Sequence, residues 1–223
     1  MEAHDAARVP TLHAAGISKR WGENRVLDDA ELSIAGGEVV ALVGKNGVGK
    51  TTLLRIAAGV LAPDVGRIRV LGLDPAADRR EFQRRIGYLS AGSVGLWARL
   101  TAEQNLELWA AFALLRRARR RTAIAASLEL FGLSELARQR VDRMSMGQRQ
   151  RVRLAMAFLH DPALVILDEP ANSLDEDALE LIGNALEGLV ARGGGALWCA
   201  PVPPDAPQVT RLCALEAGRV VAR

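Results

Sequence analysis

The sequence predicts an α/β fold: a parallel β core, an antiparallel β region near the N-terminus and an inserted α-helical lobe. Three observations carry this expectation. Between Ala14 and Val70 short β-type runs alternate with Gly-rich turns. Two nearly continuous apolar runs, Glu38–Val43 and Ala163–Glu169, have the pattern of strands covered on both faces. From about Leu100 to His160 the pattern turns helical, so strands and helices alternate around a helical block.

Taken in order, EVVALV (Glu38–Val43) reads as a buried strand, a Gly-rich turn follows, and TTLLRIAAGVL (Thr51–Leu61) reads as a helix. IGYLS (Ile86–Ser90) is a further strand. TAEQ (Thr101–Gln104) has the form of a capping box, in which the Thr oxygen caps the helix while Gln reaches back, and LELWAAFALL continues from it. ALVILDE returns to a strand, DEDALELIGNALEGLVARGG (Asp175–Gly194) is a helix that stops at Gly, and GALWCA (Gly195–Ala200) is another strand. No repeat or linker interrupts the chain. The expectation is one domain over 1–223, with a core lobe at about 11–91 and 161–223 and a helical lobe at about 92–160.

A chain of 223 residues, 49% apolar and 25% charged, can close a packed core, which argues against disorder. No run approaches the ~20 apolar residues that cross a bilayer. The start, MEAHDAARVP, carries two acids and no apolar stretch, so no secretory leader is expected. A cytoplasmic location follows, with any membrane role acting through a partner. The net charge of +3 is too small to argue for nucleic acid, and none is expected as a partner. Cys199 and Cys213 lack metal-type spacing and read as small buried side chains. His4, His13 and His160 read as surface or structural residues, and Arg116–Arg121 as a solvated helix end. The Trp and Phe of LELWAAF read as packing residues.

GKNGVGKTT, Gly44 to Thr52, fits the pattern G-x-x-x-x-G-K-[ST] with Gly44, Gly49, Lys50 and Thr51. Glycines let backbone N–H groups turn inward around phosphate oxygens. Lys50 then reaches the β- and γ-phosphates, and the Thr51 hydroxyl holds Mg²⁺. The intervening Lys45, Asn46, Gly47 and Val48 and the following Thr52 belong to the same cradle, and the next helix points its N-terminal N–H groups at the anion. The required strand–turn–helix context is present. LVILDEP supplies a second half: an apolar strand delivers Asp168 to its carboxyl end, where it would join the Mg²⁺ shell, and Glu169 would orient or deprotonate the attacking water. Alone, such a DE pair is commonly a solvated strand end. Beside a phosphate loop it points to a P-loop nucleoside triphosphatase that uses Mg²⁺.

RMSMGQRQR (Arg143–Arg151) by itself fits a basic RNA-binding strip, an ordinary helix cap or part of an active site. In the longer run MSMGQRQRVRLAMAFLHDPALVILDEP the chain resembles ABC-type ATPases, the motor subunits of ATP-binding-cassette transporters. Their signature, LSGGQ in its usual form, is matched at Ser145, Gly147 and Gln148, with Met144 and Met146 at the looser places. NSLD (Asn172–Asp175) resembles the interface loop that follows, placing Asp175 there. SKRWGENRVL resembles the family's opening strand, with Trp21 at the position that stacks on adenine. The resemblance covers nearly the whole chain and implies a RecA-like P-loop core. It also implies two chains facing head to tail, so that Ser145, Met146, Gly147 and Gln148 of one complete the ATP site of the other; the arginines that follow are then helix surface.

Two residues depart from the family's pattern. Ala91 stands where Gln usually follows the IGYLS strand, and Cys199-Ala200-Pro201 stands where His usually follows the last core strand. Because Lys50, Thr51, Asp168 and Glu169 are all present, hydrolysis is still expected, with Glu169 and Lys50 as the catalytic pair. LTAEQNL resembles the segment that adjoins the membrane subunit's groove in transporter ATPases. The general cast and short length resemble exporter subunits. The resemblance therefore implies an integral-membrane permease as partner, a second ATPase chain in a homo- or heterodimer, and a peripheral position on the inner face of the cell membrane. The alternatives it leaves are an impaired or regulatory subunit in a heterodimer and a soluble ATPase of cofactor assembly.

Overall fold

The computed structural model describes residues 9–92, 94–172 and 174–223. Within them β1 (Leu12–Trp21), β2 (Asn24–Ile34) and β4 (Val65–Val70) form an antiparallel sheet in the order β2-β1-β4. A second sheet has the order β5-β6-β7-β3-β8-β9, where β3 is Val39–Val43, β5 Ile86–Leu89, β6 Leu164–Asp168, β7 Gly195–Cys199, β8 Arg211–Glu216 and β9 Arg219–Ala222. Its first five strands run parallel, and β9 folds back antiparallel on β8.

The apolar runs are buried on both faces, as their pattern requires. Val165 and Leu167 pack with Leu106, Phe131 and Leu186 on one side of the sheet. Leu164 and Ile166 pack with Leu53, Leu54 and Ile17 on the other. Helices α1 (Lys50–Ala57) and α2 (Arg79–Arg84) precede β5; α3 (Ala102–Phe112), α4 (Arg117–Leu130) and α5 (Met146–Phe158) fall between β5 and β6, and α6 (Glu176–Ala191) joins β6 to β7.

α3 starts on the expected capping box: Gln104 N–H donates to Thr101 Oγ1 at 3.2 Å while Gln104 Oε1 accepts from Thr101 N–H at 3.0 Å. α1 is shorter than the sequence pattern implies. Gly59, at φ +67°, ends it: Gly59 N–H donates to Ile56 O and Val60 N–H to Arg55 O, a Schellman closure that satisfies carbonyls of the last turn. Among the described residues no helix is long and apolar enough to cross a membrane.

Candidate nucleotide site

The Gly44–Thr52 segment closes the turn from β3 into α1 at the carboxyl end of the parallel strands, the edge where open α/β sheets bind ligands. α1 has Gly49 at its N-cap and no capping side chain, which leaves the N–H groups of its first turn for an anion. Only glycine suits Gly49. Its φ is +114°, and a Cβ would come within 2.7 Å of Val26 Cγ1 and 2.9 Å of Val26 O. Lys50 is 6% exposed, and its Nζ donates to Gly44 O at 2.6 Å and Lys45 O at 3.1 Å, so the ammonium is pinned over the loop.

A cleft of about 400 Å³ opens at this loop. Asn46, Gly47, Gly49, Lys50, Thr51 and Thr52 line it from below, Trp21 and Val26 from the antiparallel sheet, and Glu169 from the end of β6. Gly44, Lys45 and Val48 are not in its lining. The carbonyls of Gly44 and Lys45 hold Lys50 instead, and Val48 N–H donates to Lys45 O, tightening the turn. The Trp21 ring is 53% exposed with Lys19 Nζ 5.4 Å from its centroid, leaving ring surface for a planar base.

Asp168 ends β6 and is buried, yet its Oδ2 has no hydrogen-bond partner. Burial pushes this carboxyl above the ordinary carboxylate range, against the Thr51 hydroxyl, the Cys199 thiol and the Ala91 backbone N–H beside it. An orphaned carboxylate oxygen next to a hydroxyl is a hard oxygen donor set, which fits Mg²⁺. Glu169 has φ +53°, a left-handed conformation that costs a side-chain-bearing residue about 1–2 kcal/mol. Its N–H donates to Cys199 O at 2.9 Å, and its Oε2 accepts from Asn172 Nδ2 at 2.8 Å. That kink places the carboxylate on the cleft.

Ser145 is the N-cap of α5 in a second capping box: Gln148 N–H donates to Ser145 Oγ (3.2 Å), and Gln148 Oε1 accepts from Ser145 N–H (3.0 Å). The Ser145 hydroxyl accepts here and keeps its own proton to donate. None of Ser145, Met146, Gly147 and Gln148 lines the P-loop cleft. Met146 is 70% exposed and borders a separate cavity of about 440 Å³ that Asp168 and Glu169 also line. Asp175 caps α6, its Oδ1 accepting from Ala178 N–H at 3.0 Å.

The arginines after Ser145 correct the helix-surface expectation. Arg149 donates to Val141 O and Asp142 O, Arg151 to Phe131 O and Gly132 O, and Arg153 is buried. The Trp and Phe of LELWAAF do pack: Trp109 lies against the core, and Phe112, though 59% exposed, has its ring centroid 6.2 Å from that of Trp109 and 6.0 Å from that of Trp97. Arg116, Arg117, Arg119 and Arg121 are exposed at the start of α4, and both cysteines are free and buried. His13 is exposed on β1, while His160 Nε2 lies 3.0 Å from Ile86 O; neither lines the cleft, and His4 lies outside the described residues. Sequence reasoning missed Val26, Gln150, Arg153 and the contact of Cys199 with Asp168. One signal was legible: Met146, Gln150 and Arg153 share a helix face at spacings of four and three.

The family model described as "ABC transporter" matches residues 27–172, which includes the P-loop, the signature turn and the Asp168-Glu169 strand end. The chain belongs to the ABC transporter family. It is an ATP-binding subunit and an ABC-type ATPase, built on the P-loop α/β fold. Among its relatives is the Nod factor export ATP-binding protein I of Rhizobium johnstonii, 37% identical over 95% of this chain and 68% of that protein. The daunorubicin resistance ATP-binding protein DrrA3 of Streptomyces coeruleorubidus is 35% identical over 93% of the chain and 66% of its own length. The chain thus spans about two thirds of these curated relatives. A solved ATP-binding subunit of an ABC transporter superposes with a TM-score of 0.87 at 29% identity, covering 94% of this chain and 88% of that one. A dimeric ATP-binding cassette in a post-hydrolysis state, bound to ADP and Pi, gives 0.83 at 26% identity, covering 94% and 96%.

Proposed function

We propose that this ABC ATPase hydrolyses ATP to drive export through a separate integral-membrane permease, and that it works as a head-to-tail dimer. The observation that carries the reading is the single cleft shared by Trp21, the P-loop and Glu169, with the orphaned Asp168 Oδ2 beside Thr51. Trp21 stacks on the adenine. The loop residues Gly44–Thr52 and the α1 N-terminus bind the phosphates, and Lys50 balances their charge. Thr51 and Asp168 would hold Mg²⁺, which supplies further neutralisation of the phosphate oxygens. Glu169, held by Asn172, accepts the proton of the attacking water. Ser145, Gly147 and Gln148 of the second chain, with Met146 at the helix start, close the site over the γ-phosphate, and Asp175 belongs to the facing loop.

Export is supported by relatives named for Nod factor export and daunorubicin resistance. The permease docks, in this reading, on a groove of about 350 Å³ between core and helices, where exposed Phe112 and Val60 sit beside Trp109, Arg80 and Arg84. In the same reading the chain works at the cytoplasmic face of the membrane. A second reading, an impaired subunit paired with a different ATPase, draws on Ala91 and on the Cys199-Ala200-Pro201 segment, where Ala200 N–H donates to Leu42 O and no His is present.

ATP turnover of the full chain against Glu169→Gln separates the two. The hydrolysing reading expects the variant to lose on the order of 100-fold or more in kcat with nucleotide affinity retained. Equal rates overturn it in favour of the impaired subunit.

A further inference from the structure

Arg153 is 6% exposed, and its four hydrogen bonds all end on uncharged groups. Nη2 donates to Ser90 O at 2.5 Å and Ser90 Oγ at 3.3 Å, Nε to Val94 O at 3.0 Å, and Nη1 to Gln150 Oε1 at 2.7 Å. Gln150 Nε2 in turn donates to Pro170 O at 3.0 Å, the residue after Glu169. Among the described residues no carboxylate pairs with the guanidinium. Taking an unpaired cation out of water is costly, and an apolar residue of similar volume on α5 would avoid that cost.

The bonds have a direction. They run from the end of β5 at Ser90, through α5, to the end of β6 at Pro170. Between α5 and the strand ends lies the cavity of about 440 Å³, which Met146, Gln150 and Arg153 line on one side and Asp168 and Glu169 on the other. Leu154 and Ala155 of α5 share the hydrophobic core with Leu89 and Leu167, and beside the void, where that packing stops, the polar chain adds a further link from helix to strand ends.

We propose that Arg153 is a positioning residue for ATP hydrolysis, holding the helix that starts at Ser145 in register with the ends of β5 and β6. Ser145 and Glu169 then move as one body when two chains meet. Arg153 acts through Gln150 and Pro170 and touches no nucleotide. The inference rests on the reading of Glu169 given above.

The test compares steady-state ATP turnover and melting temperature of the wild-type chain with Arg153→Met, Arg153→Lys, Gln150→Glu and Glu169→Gln. Gln150→Glu is the discriminating variant. It keeps an acceptor for Arg153, and pairs its charge, but removes the donor to Pro170 O. The expected result is a kcat loss of about tenfold or more for Arg153→Met and Gln150→Glu, with KM within about twofold. Arg153→Lys recovers part of the loss, and Gln150→Glu melts no lower than wild type. A wild-type kcat in Gln150→Glu, with Arg153→Met losing rate only alongside its melting temperature, makes Arg153 merely structural and overturns the proposal. Equal rates for wild type and Glu169→Gln sink the Glu169 reading and this one with it, whereas a slow Glu169→Gln beside unaffected Gln150 and Arg153 variants sinks this one alone.

Discussion

Single residues in this ABC ATPase are placed against their intrinsic preference where the chemistry is expected. Glu169 holds a positive φ, Asp168 leaves a buried oxygen unpaired and Arg153 buries a charge among neutral partners. Each costs stability that the surrounding strands must supply. His160 shows a different kind of residue-scale effect, with no catalytic meaning. Burial holds its pKa below the ordinary value of 6.5, and only partly is this offset by the Ile86 carbonyl and by Asp161. The folded state therefore binds fewer protons than the unfolded chain just below that value, so stability is lost as pH falls through it. The melting temperature is expected to drop more steeply between about pH 7 and 5 in the wild type than in His160→Gln. Parallel pH profiles of the two proteins would remove His160 from the account.

At the scale of elements, the two capping boxes offer an internal control. Thr101 with Gln104 and Ser145 with Gln148 make the same pair of hydrogen bonds with the same lengths, 3.2 and 3.0 Å. Thr101→Ala and Ser145→Ala should each cost about 1 kcal/mol of stability, read as similar shifts in melting temperature. Only Ser145→Ala is expected to lose ATP turnover as well, because only its hydroxyl proton is assigned to a phosphate. Equal turnover in both variants would reduce the signature turn to a helix cap. The Thr101 box was read from the sequence as such and Ser145 only as one possible helix cap, since capping is decided over four adjacent residues. Helix α1 ends earlier than its apolar pattern runs because Gly59 takes a left-handed turn that periodicity does not register. The hairpin of β8 and β9 went unread, although its turn at Ala217 and Gly218 has the paired positive φ angles of a tight hairpin.

For the whole molecule, the decisive geometry is a separation. The P-loop cleft contains Trp21, Lys50 and Glu169 but no part of the Ser145–Gln148 turn. If the second chain supplies that turn, Lys50→Ala and Ser145→Ala are complementary defects. Each alone should be inactive. An equal mixture should recover roughly a quarter of the wild-type rate, since half of the dimers are mixed and half of their sites intact. Turnover per chain should also rise with protein concentration. Failure of the mixture to exceed either variant would place signature and P-loop in separate functions.

What the sequence determined by itself is the local chemistry: a glycine turn between strand and helix, an apolar strand ending in two carboxylates, and a Ser-capped helix. These depend on backbone conformation, caps and burial patterns within about ten residues, and spacing encodes them. Which strands neighbour each other was left to tertiary structure, and with it the meeting of Trp21 and Glu169 across one cleft. So was the fate of the arginines after Ser145. An arginine in a basic run reads as solvated, because its charge favours water in every local context. Gln150, one turn back on the same helix, offers one acceptor, and only the tertiary approach of Ser90 and Val94 supplies the rest that hold Arg153 inside.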